Sequence, residues 1–335
     1  MIFTLLLACT GESTQAPPSQ ATEPAPAAEQ RTVTVYSGRG ESLVGELFKK
    51  MEQDLAITLD VQYGSTSEMV TRLITEGDQS PADVIFAQDS GHLGALANQQ
   101  RLSPLPNALA ESIDAKFRDS NNFWLGTSGR LRVLVYNTDL VSAEELPKSL
   151  KELADPKWKG RLGWAPSNGS YASHVSALRH LWGEEETKSW LQGVQANAPQ
   201  VYPKNSPQVK AAADGSLHIG WVNHYYLHKL DKAKSPAKNY SFPTEDAGNI
   251  MMVAGVGIPK STDAKELAER VVAYLTAIPA QEYFANKTFE YPTRPNVTTH
   301  PDVPDIDLSA LMAVDQAHLS DLGPTRVLLK ELGLN

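Results

Sequence analysis

Two tyrosines and two histidines lie within five residues in the segment 223–228, which reads NHYYLH, and their side chains could bind a metal ion. Phenolate oxygen is a hard, anionic ligand that suits Fe³⁺ far better than a soft cation. Free tyrosine has a pKa of about 10, so at neutral pH the metal must drive deprotonation, which a trivalent ion can do. Tyr225 and Tyr226 are therefore candidate Fe³⁺ ligands. The alternative is an aromatic pair that packs in the core or at a rim.

The two histidines of this segment are weaker candidates. His224 is adjacent to the tyrosine pair but points to the opposite side in an extended segment, so it is only a possible additional ligand. At the start of a helix, Tyr225 and Tyr226 diverge by about 100° and need a bent local backbone to share one ion. His228 is interpreted as an ordinary helix-surface residue.

Motifs of enzyme catalysis are absent from the sequence. It contains no G-x-S-x-G nucleophile elbow, no H-E-x-x-H pair and no Gly-rich phosphate loop. The segment 38–41, GRGE, is too short for a dinucleotide fingerprint. We therefore expect a binding protein and no enzyme.

The elements that must position these residues alternate between strands and helices. Strands are predicted over 32–36, 57–61 and 82–86, and helical apolar spacing is found over 41–53. A continuous strand over 130–136 precedes a second strand–helix series over 160–230, with a strand at 217–222. An apolar extended segment follows at 249–258, and amphipathic helices are predicted over 265–275 and, in part, 306–311.

This alternation predicts an α/β fold of two lobes. Each lobe is expected to be a mixed, mainly parallel sheet flanked by helices, with ligand bound between the lobes at the carboxyl ends of the strands. Four loops follow candidate strands and are expected to meet in that cleft: 37–40, 87–89, 167–171 and 223–226.

Composition and charge exclude some partners. The chain has 335 residues, of which 41% are hydrophobic and 21% charged, and this length suits about two domains. A net charge of −9 and the lack of a long Lys/Arg block argue against nucleic acid.

The amino terminus predicts a lipid anchor. Cys9 is the only cysteine, and the preceding apolar run is far too short for a bilayer, which needs about 20 residues. The string LLAC at 6–9 resembles a bacterial lipobox at the end of a secretory signal (1–9), which implies lipidation of Cys9. No Lys or Arg precedes the apolar run. Residues 10–31 are rich in Thr, Ser, Pro, Ala, Gln and Glu and are predicted to be a flexible tether.

Seven short strings, taken in order, resemble one family. The chain is similar to bacterial periplasmic ferric-ion-binding proteins, members of the solute-binding superfamily of ABC transporters, from about Thr32 to its carboxyl terminus. The strings are VYSGR (35–39), PADV (81–84), GTSGR (126–130), PKWKG (156–160), KNS (204–206), NHYY (223–226) and EYPTR (290–294).

The resemblance implies a two-lobed clamp of the class II binding-protein type. The N-lobe is expected at 32–127 plus 253–305 and the C-lobe at 128–252 plus 306–335. By the same match, Tyr225 and Tyr226 bind Fe³⁺, and Tyr171 takes the place of a third tyrosine found in some members.

The sequence departs from part of this family. Members that contribute a histidine from the first loop have it where Gly40 stands here, and their glutamate is replaced by Gln88, with Asp89 next to it. Gln88 is a poor ligand for Fe³⁺ and only a possible additional one. A mostly tyrosine site is therefore expected, completed by a synergistic anion such as carbonate or phosphate. Arg39 is its expected partner, because guanidinium binds planar oxyanions through two hydrogen bonds. Neutral donors to the anion are expected from Ser37, Asn168, Gly169, Ser170, Asn205 and Asn223.

The resemblance also implies a place in transport. The chain is expected to be the extracytoplasmic, periplasmic component of an ABC iron importer, anchored to the membrane through Cys9 and delivering iron to a permease and its ATPase as a monomer. The rival is a protein of the same fold that binds an oxyanion or a small organic ligand, such as a phosphonate, sulfate or a polyamine.

Overall fold

A computed structural model describes residues 32–230, 235–243, 245–307 and 310–334 of the chain. Cys9 and the predicted tether at 10–31 lie outside the described residues, so the lipobox and the tether remain predictions. Strands and helices alternate along both halves of the described chain, as the sequence predicts.

The strands within the described residues are β1 (Thr32–Ser37), β2 (Thr58–Tyr63), β3 (Val84–Ala87), β4 (Leu102–Ser103), β5 (Trp124–Asn137), β6 (Leu162–Trp164), β7 (Gln200–Val201), β8 (Ile219–Asn223), β9 (Ala237–Tyr240) and β10 (Met251–Pro259). The α-helices are α1 (Glu41–Leu55), α2 (Thr66–Glu76), α3 (Ser90–Asn98), α4 (Asn107–Ala110), α5 (Gly169–Trp182), α6 (Glu184–Ala196), α7 (Asn205–Asp214), α8 (Lys265–Thr276), α9 (Ile278–Tyr283) and α10 (Leu322–Glu331). Short 3₁₀ helices include His224–Lys229 and Gln316–Ser320, and a π-helical turn spans Phe284–Thr288.

One hydrogen-bonded path of strands runs through both halves, in the order β2-β1-β3-β10-β5-β8-β6-β7, with β4 on β10 and β9 on β5. The strands β1, β2 and β3 are parallel, as are β6, β7 and β8, whereas β5 and β10 pair antiparallel with their neighbours. The predicted mixed α/β fold is confirmed. Where two separate sheets were expected, the ladder is continuous, because β5 is long enough to belong to both halves.

The change of partner along β5 falls between two adjacent residues. Leu131 is opposite Met251 of β10, whereas Arg132 is opposite Asn223 of β8. The strand therefore carries the chain from one half of the sheet to the other at this point. Two main clusters of buried side chains accompany the halves. One is formed around β1, β3, β10 and α8, and the other is rich in tryptophan around β6, α5 and β8.

Apolar spacing explains why these elements form where they do. In α1, the buried residues are Val44, Leu47, Phe48 and Met51, which share one face of a helix. The strand β3 is buried at every residue, as expected for a parallel strand covered on both faces.

The helix predicted in part over 306–311 is not found in the residues of that segment that the structure describes, since 308 and 309 lie outside them. The described residues of that segment form no α-helix, and Leu311 makes an isolated bridge with Asp246. Asn249 holds the segment in place, because its side chain donates to the Ala310 carbonyl at 3.4 Å and its carbonyl accepts from Met312 N–H at 3.1 Å. These long-range hydrogen bonds outweigh the local apolar spacing.

A glycine in β5 provides a test of how tightly the crossing strand is packed. A Cβ at Gly126 would lie 2.5 Å from the Phe117 carbonyl oxygen, so the backbone must shift. We expect Gly126→Ala to lower the free energy of unfolding by about 1–3 kcal/mol, measured by urea denaturation. The control is Gly323→Ala in α10, where a Cβ meets no atom within 4 Å. Equal stability of the two variants would contradict close packing at Gly126.

Candidate metal centre

The three candidate tyrosines lie at the carboxyl ends of neighbouring parallel strands. Tyr225 and Tyr226 belong to the 3₁₀ helix that follows β8 directly, and Tyr171 is in the first turn of α5, shortly after β6. Since β6 and β8 are parallel and paired, their carboxyl ends share one edge of the sheet.

The tyrosine pair converges in spite of its helical backbone. Successive residues of a 3₁₀ helix diverge by about 120°, yet the ring centroids of Tyr225 and Tyr226 are only 4.4 Å apart, with an interplanar angle of 32°. The phenols are hydrogen-bonded to each other. Burial raises the pKa of Tyr225 above the usual tyrosine value, and the neighbouring Tyr226 phenol raises it further. Tyr225 is therefore a neutral phenol at physiological pH until a cation displaces its proton.

Tyr171 is fully buried within an aromatic wall. Its ring centroid is 4.9 Å from that of Trp221 and 6.0 Å from that of Trp164, both in edge-on contact. Burial raises the pKa of Tyr171 strongly, and the Arg132 cation opposes this rise. Its hydroxyl has no hydrogen-bond partner among the described residues. A buried hydroxyl without a partner destabilises the folded state by about 1–3 kcal/mol. This oxygen is therefore suited to act as a ligand of a metal ion.

Arg132 is the cation that the three tyrosines share. The guanidinium is fully buried and is close enough to Tyr171, Tyr225 and Tyr226 to act on each electrostatically. Burial lowers the pKa of Arg132 to about 9, while the three phenols counteract this effect, so the group is still a cation at neutral pH. Its Nε has no partner among the described residues.

The sequence interpretation missed Arg132 as a functional residue. It was read as part of a continuous strand, and the available signal was a charge within the otherwise apolar run LRVLV at 131–135. A charged residue that is fully buried needs partners, and these are polar groups of the same site. Nη1 donates to Asn223 Oδ1 at 2.9 Å and to Ser170 Oγ at 3.3 Å, and Nη2 donates to the Trp221 carbonyl at 2.9 Å.

Four of the predicted anion donors are brought together around this guanidinium. Ser170 Oγ donates to Asn168 Oδ1 at 2.6 Å and accepts from Asn205 Nδ2 at 3.2 Å, while Asn223 accepts from Arg132. Asn205 is buried, and its Oδ1 has no partner among the described residues. Gly169 is the first residue of α5 and Asn205 is the first residue of α7, so two helix N-termini flank the cluster. Such N-termini favour negative charge.

Ser37 and Arg39 lie in a different environment. Ser37 Oγ donates to the carbonyl of Arg39 at 2.8 Å, within their own loop. The buried Arg39 guanidinium forms an ion pair with Glu290 at 2.9 Å and donates to Ser128 Oγ at 3.1 Å. Both terminal nitrogens thus have protein partners, and only Nε has none among the described residues.

Gly40, Gln88 and Asp89, which stand where the resemblance implies a histidine and a glutamate, belong to the loops after β1 and β3. Gly40 precedes α1 and is exposed. The backbone carbonyl of Gln88 accepts a hydrogen bond from Arg130. Asp89 caps α3 and accepts from His92 Nδ1 at 2.6 Å, so part of its carboxylate is already engaged. Arg130 also lies within electrostatic range of Tyr225.

Both ring nitrogens of His224 are engaged, so the structure does not place it as a metal ligand. Nδ1 accepts from Leu131 N–H at 3.1 Å, and Nε2 lies 2.7 Å from the Phe289 carbonyl oxygen. Burial lowers the pKa of His224 to about 4, which favours the neutral imidazole that these two partners require. Both nitrogens of His224 are thus occupied by protein partners, and neither is available to a metal ion in this conformation.

The donor set as a whole suits a hard trivalent cation. Within the described ranges, no group of three or more His, Cys, Asp or Glu residues could hold a metal ion. The three phenols beside the buried Arg132 cation are the candidate ligands that the sequence predicts, and phenolate oxygen prefers hard ions.

Comparison with known proteins identifies the family of the chain and its relatives. The model of the family described as "Bacterial extracellular solute-binding protein" matches residues 79–317. The chain is 32% identical over 300 residues to the Fe(3+)-binding periplasmic protein of Serratia marcescens, covering 88% of each chain. It is 30% identical to iron uptake protein A1 of Synechocystis, covering 95% of this chain and 89% of the relative.

Solved structures show the same fold. Iron-bound HitA from Pseudomonas aeruginosa superposes with a TM-score of 0.81 at 27% identity, covering 91% of this chain and all of HitA. The apo ferric ion-binding protein A of Pasteurella haemolytica gives a TM-score of 0.78 at 26% identity, covering 91% and 98% of the two chains.

The fold is that of a two-lobed periplasmic binding protein. More specifically, the chain belongs to the family of bacterial extracellular solute-binding proteins. The resemblance to ferric-ion-binding proteins is confirmed by its relatives. The family and these relatives are solute-binding transport proteins, which confirms the prediction that the chain is not an enzyme. In the part of the chain that the structure describes, no helix combines the length and apolar character needed to cross a membrane.

A buried histidine behind the aromatic wall makes the stability of the fold depend on pH. His174 Nε2 lies 2.6 Å from the Ala247 carbonyl oxygen, and burial, assisted by the Arg132 cation, lowers its pKa to about 3. Unfolded histidine has a pKa of about 6.5, so the unfolded chain binds more protons as the pH falls. The stability from neutral His174 is therefore present above about pH 6.5 and is lost progressively toward pH 3.

We expect His174 to contribute about 2 kcal/mol to the loss of unfolding free energy between pH 7.5 and pH 5. Urea denaturation of the wild type and of His174→Gln at both pH values measures this contribution, because the glutamine does not titrate. The variant should lose about 2 kcal/mol less than the wild type. An equal loss in both proteins would show that His174 does not carry this pH dependence.

Proposed function

We propose that the chain is the solute-binding component of an ABC importer and binds Fe³⁺ through the phenolates of Tyr225, Tyr226 and Tyr171. The observation that carries the proposal is the convergence of three phenols on one buried cation, Arg132, with the Tyr171 hydroxyl lacking a partner among the described residues. The names of the relatives support iron as the cargo.

Charge balance gives each group a role. Burial raises the pKa of Tyr225 and Tyr171, so binding of Fe³⁺ must release protons from them. Arg132 favours the phenolate forms, because an opposite charge nearby lowers the pKa of a phenol. Three phenolates neutralise one Fe³⁺ ion and leave the buried Arg132 cation without a counter-charge. A buried charge without a partner is strongly unfavourable, so an anion is expected to bind with the metal.

The anion is carbonate or phosphate in this proposal, held among Arg132, Ser170, Asn205, Asn223 and the N-terminus of α5. Asn168 and Gly169 form that N-terminus, and the positive end of the helix dipole there suits an oxyanion. Arg39 and Ser37 remain candidates on the other wall, although the Arg39 ion pair with Glu290 leaves fewer donors for the anion.

The transport cycle follows from two lobes that close on the metal. The lobes are proposed at 32–127 plus 253–305 and at 128–252 plus 306–335. Closure excludes water and strengthens the attraction between phenolates and Fe³⁺. The closed monomer delivers iron to a permease and its ATPase in the periplasm, held at the membrane by a lipid on Cys9.

A second candidate function is binding of an oxyanion alone. It is favoured by the buried Arg132 guanidinium, with its Nε lacking a partner among the described residues, between two helix N-termini. The two functions differ in colour, since phenolate-to-Fe³⁺ charge transfer absorbs visible light. A colourless protein whose thermal stability is unchanged by ferric citrate but increased by phosphate would support the second function.

The tyrosine ligands are tested by removing one hydroxyl at a time. Tyr225→Phe and Tyr226→Phe are each expected to weaken Fe³⁺ binding by more than about 100-fold. This exceeds the loss of about 10–100-fold that is typical when a residue that only supports a metal ligand is replaced. Competition with a chelator gives the affinity, and the visible band reports ligation. The control is Tyr202→Phe, whose hydroxyl donates to Gln200 at 2.7 Å on the protein surface. Unchanged affinity in both ligand variants would refute the proposal.

The two arginines are distinguished by their effects on the anion. Arg132→Lys keeps a charge but loses the planar fork, so we expect Fe³⁺ binding to weaken by about 10–100-fold and to respond less to added bicarbonate. Titrations of iron with and without bicarbonate measure this response. Arg39→Lys is the comparison: if it alone abolishes the bicarbonate response, Arg39 and not Arg132 holds the anion.

A further inference from the structure

His224 lies where the tyrosine loop meets the strand that joins the two halves of the sheet. It is buried, and its Nδ1 accepts the N–H of Leu131 at 3.1 Å. Leu131 is the last residue of β5 opposite β10, and the next residue is opposite β8. The hydrogen bond therefore joins the residue before Tyr225 to the point where β5 changes partner.

The other nitrogen of His224 reaches a third part of the chain. Nε2 lies 2.7 Å from the carbonyl oxygen of Phe289, which ends the π-helical turn in a left-handed conformation with a φ of 58°. The next residue is Glu290, the ion-pair partner of Arg39. Tyr291 follows and exchanges two backbone hydrogen bonds with Gly129 of β5, at 2.7 and 2.8 Å. A single imidazole thus bridges the tyrosine loop, the crossing strand and the segment that carries Glu290.

The two partners also determine which tautomer is present. Leu131 N–H can only donate and the Phe289 carbonyl can only accept, so Nδ1 must carry the lone pair and Nε2 the proton. The ring packs at 4.5 Å from the ring of Tyr291 and edge-on at 5.8 Å from that of Tyr225. No nitrogen is left for iron, and the ring has little freedom to rotate.

We propose that His224 is a positioning residue that couples the metal-binding tyrosines to the β5 crossover, so that loading of the tyrosines drives closure of the two lobes. The inference rests on the proposed function, since it assumes that Tyr225 and Tyr226 bind Fe³⁺. A ligand can shift a conformational equilibrium only through contacts that differ between the two states. In this proposal the hydrogen bond from Leu131 is such a contact, because a rotation where β5 changes partner must displace it or carry the tyrosine loop along.

Two substitutions of His224 test its two hydrogen bonds one at a time, because each new side chain can form only one of them. Asparagine can place its Oδ1 near the position of Nδ1 and accept from Leu131, but it cannot reach Phe289. Glutamine can place its amide near Nε2 and donate to Phe289, but it leaves the Leu131 N–H without an acceptor. His224→Leu removes both contacts. The matched control is His218→Gln, just before β8, a histidine outside the candidate site.

The full-length protein is loaded with Fe³⁺ in bicarbonate buffer and followed by three readouts: the visible band at saturation, the rate of iron loss to a chelator, and the change in radius of gyration on iron binding. We expect all variants to keep the band, because the tyrosines still ligate. Iron loss should accelerate by about 10–100-fold in His224→Leu and His224→Gln, as is typical of residues that orient metal ligands, and less in His224→Asn. The compaction on iron binding should shrink in the same order.

Each other outcome overturns the inference in a recognisable way. Wild-type iron loss and compaction in His224→Leu would show that the imidazole only fills space. Loss of the band in that variant, with the band retained in the control, would make His224 a ligand. Faster iron loss in His224→Asn than in His224→Gln would show that the hydrogen bond to Phe289, and not the one from Leu131, carries the coupling. If His224→Leu does not fold, the asparagine and glutamine variants decide. Absence of the band in the wild type would instead refute the proposed function.

Discussion

The cost of burying charge at one point organises the candidate site. Arg132 is a fully buried cation, and its partners are neutral: three phenols, an amide, a hydroxyl and a backbone carbonyl. A guanidinium in such a place is tolerated only with hydrogen bonds to most of its donors. Strand β8 supplies the acceptors of Trp221 and Asn223, and the first turn of α5 supplies that of Ser170. The same cation lowers the cost of turning a nearby phenol into a phenolate.

Much of the fold could be predicted from local patterns. The spacing of Val44, Leu47, Phe48 and Met51 indicates a helix, and the structure has one over Glu41–Leu55. The expectation of Fe³⁺ combined the hard donor character of a tyrosine pair with the resemblance of seven short strings to one family, because the pair alone is also compatible with packing. Periodicity was weakest where long-range hydrogen bonds decide the backbone, as at 306–311, which is held in part by Asn249.

The contacts that join distant parts of the chain could not be predicted. The partner of Arg39 is Glu290, 251 residues away, and the Nδ1 of His224 is bonded to Leu131, 93 residues away. Both side chains have more than one chemically reasonable role, and sequence alone gives no measure of which partner is within reach. Arg132 was missed for a different reason, because its segment was predicted only as a strand. Arg130 and Arg132 are both buried in β5, and the strand predicted over 130–136 gave Arg132 no place in the site.

In the proposed function, metal and anion are linked through the same buried cation. Before iron binds, Arg132 is stabilised by phenol dipoles and hydrogen bonds. Once the phenolates bind Fe³⁺, an anion is the remaining counter-charge for Arg132. Bound iron therefore raises the affinity for the anion, and the anion raises the affinity for iron by the same factor. Loss of the anion then leaves an uncompensated buried charge, which weakens the closed state without any change in the tyrosines. In this arrangement, iron release can begin at the anion, and the half-buried tyrosine pair need not be protonated first.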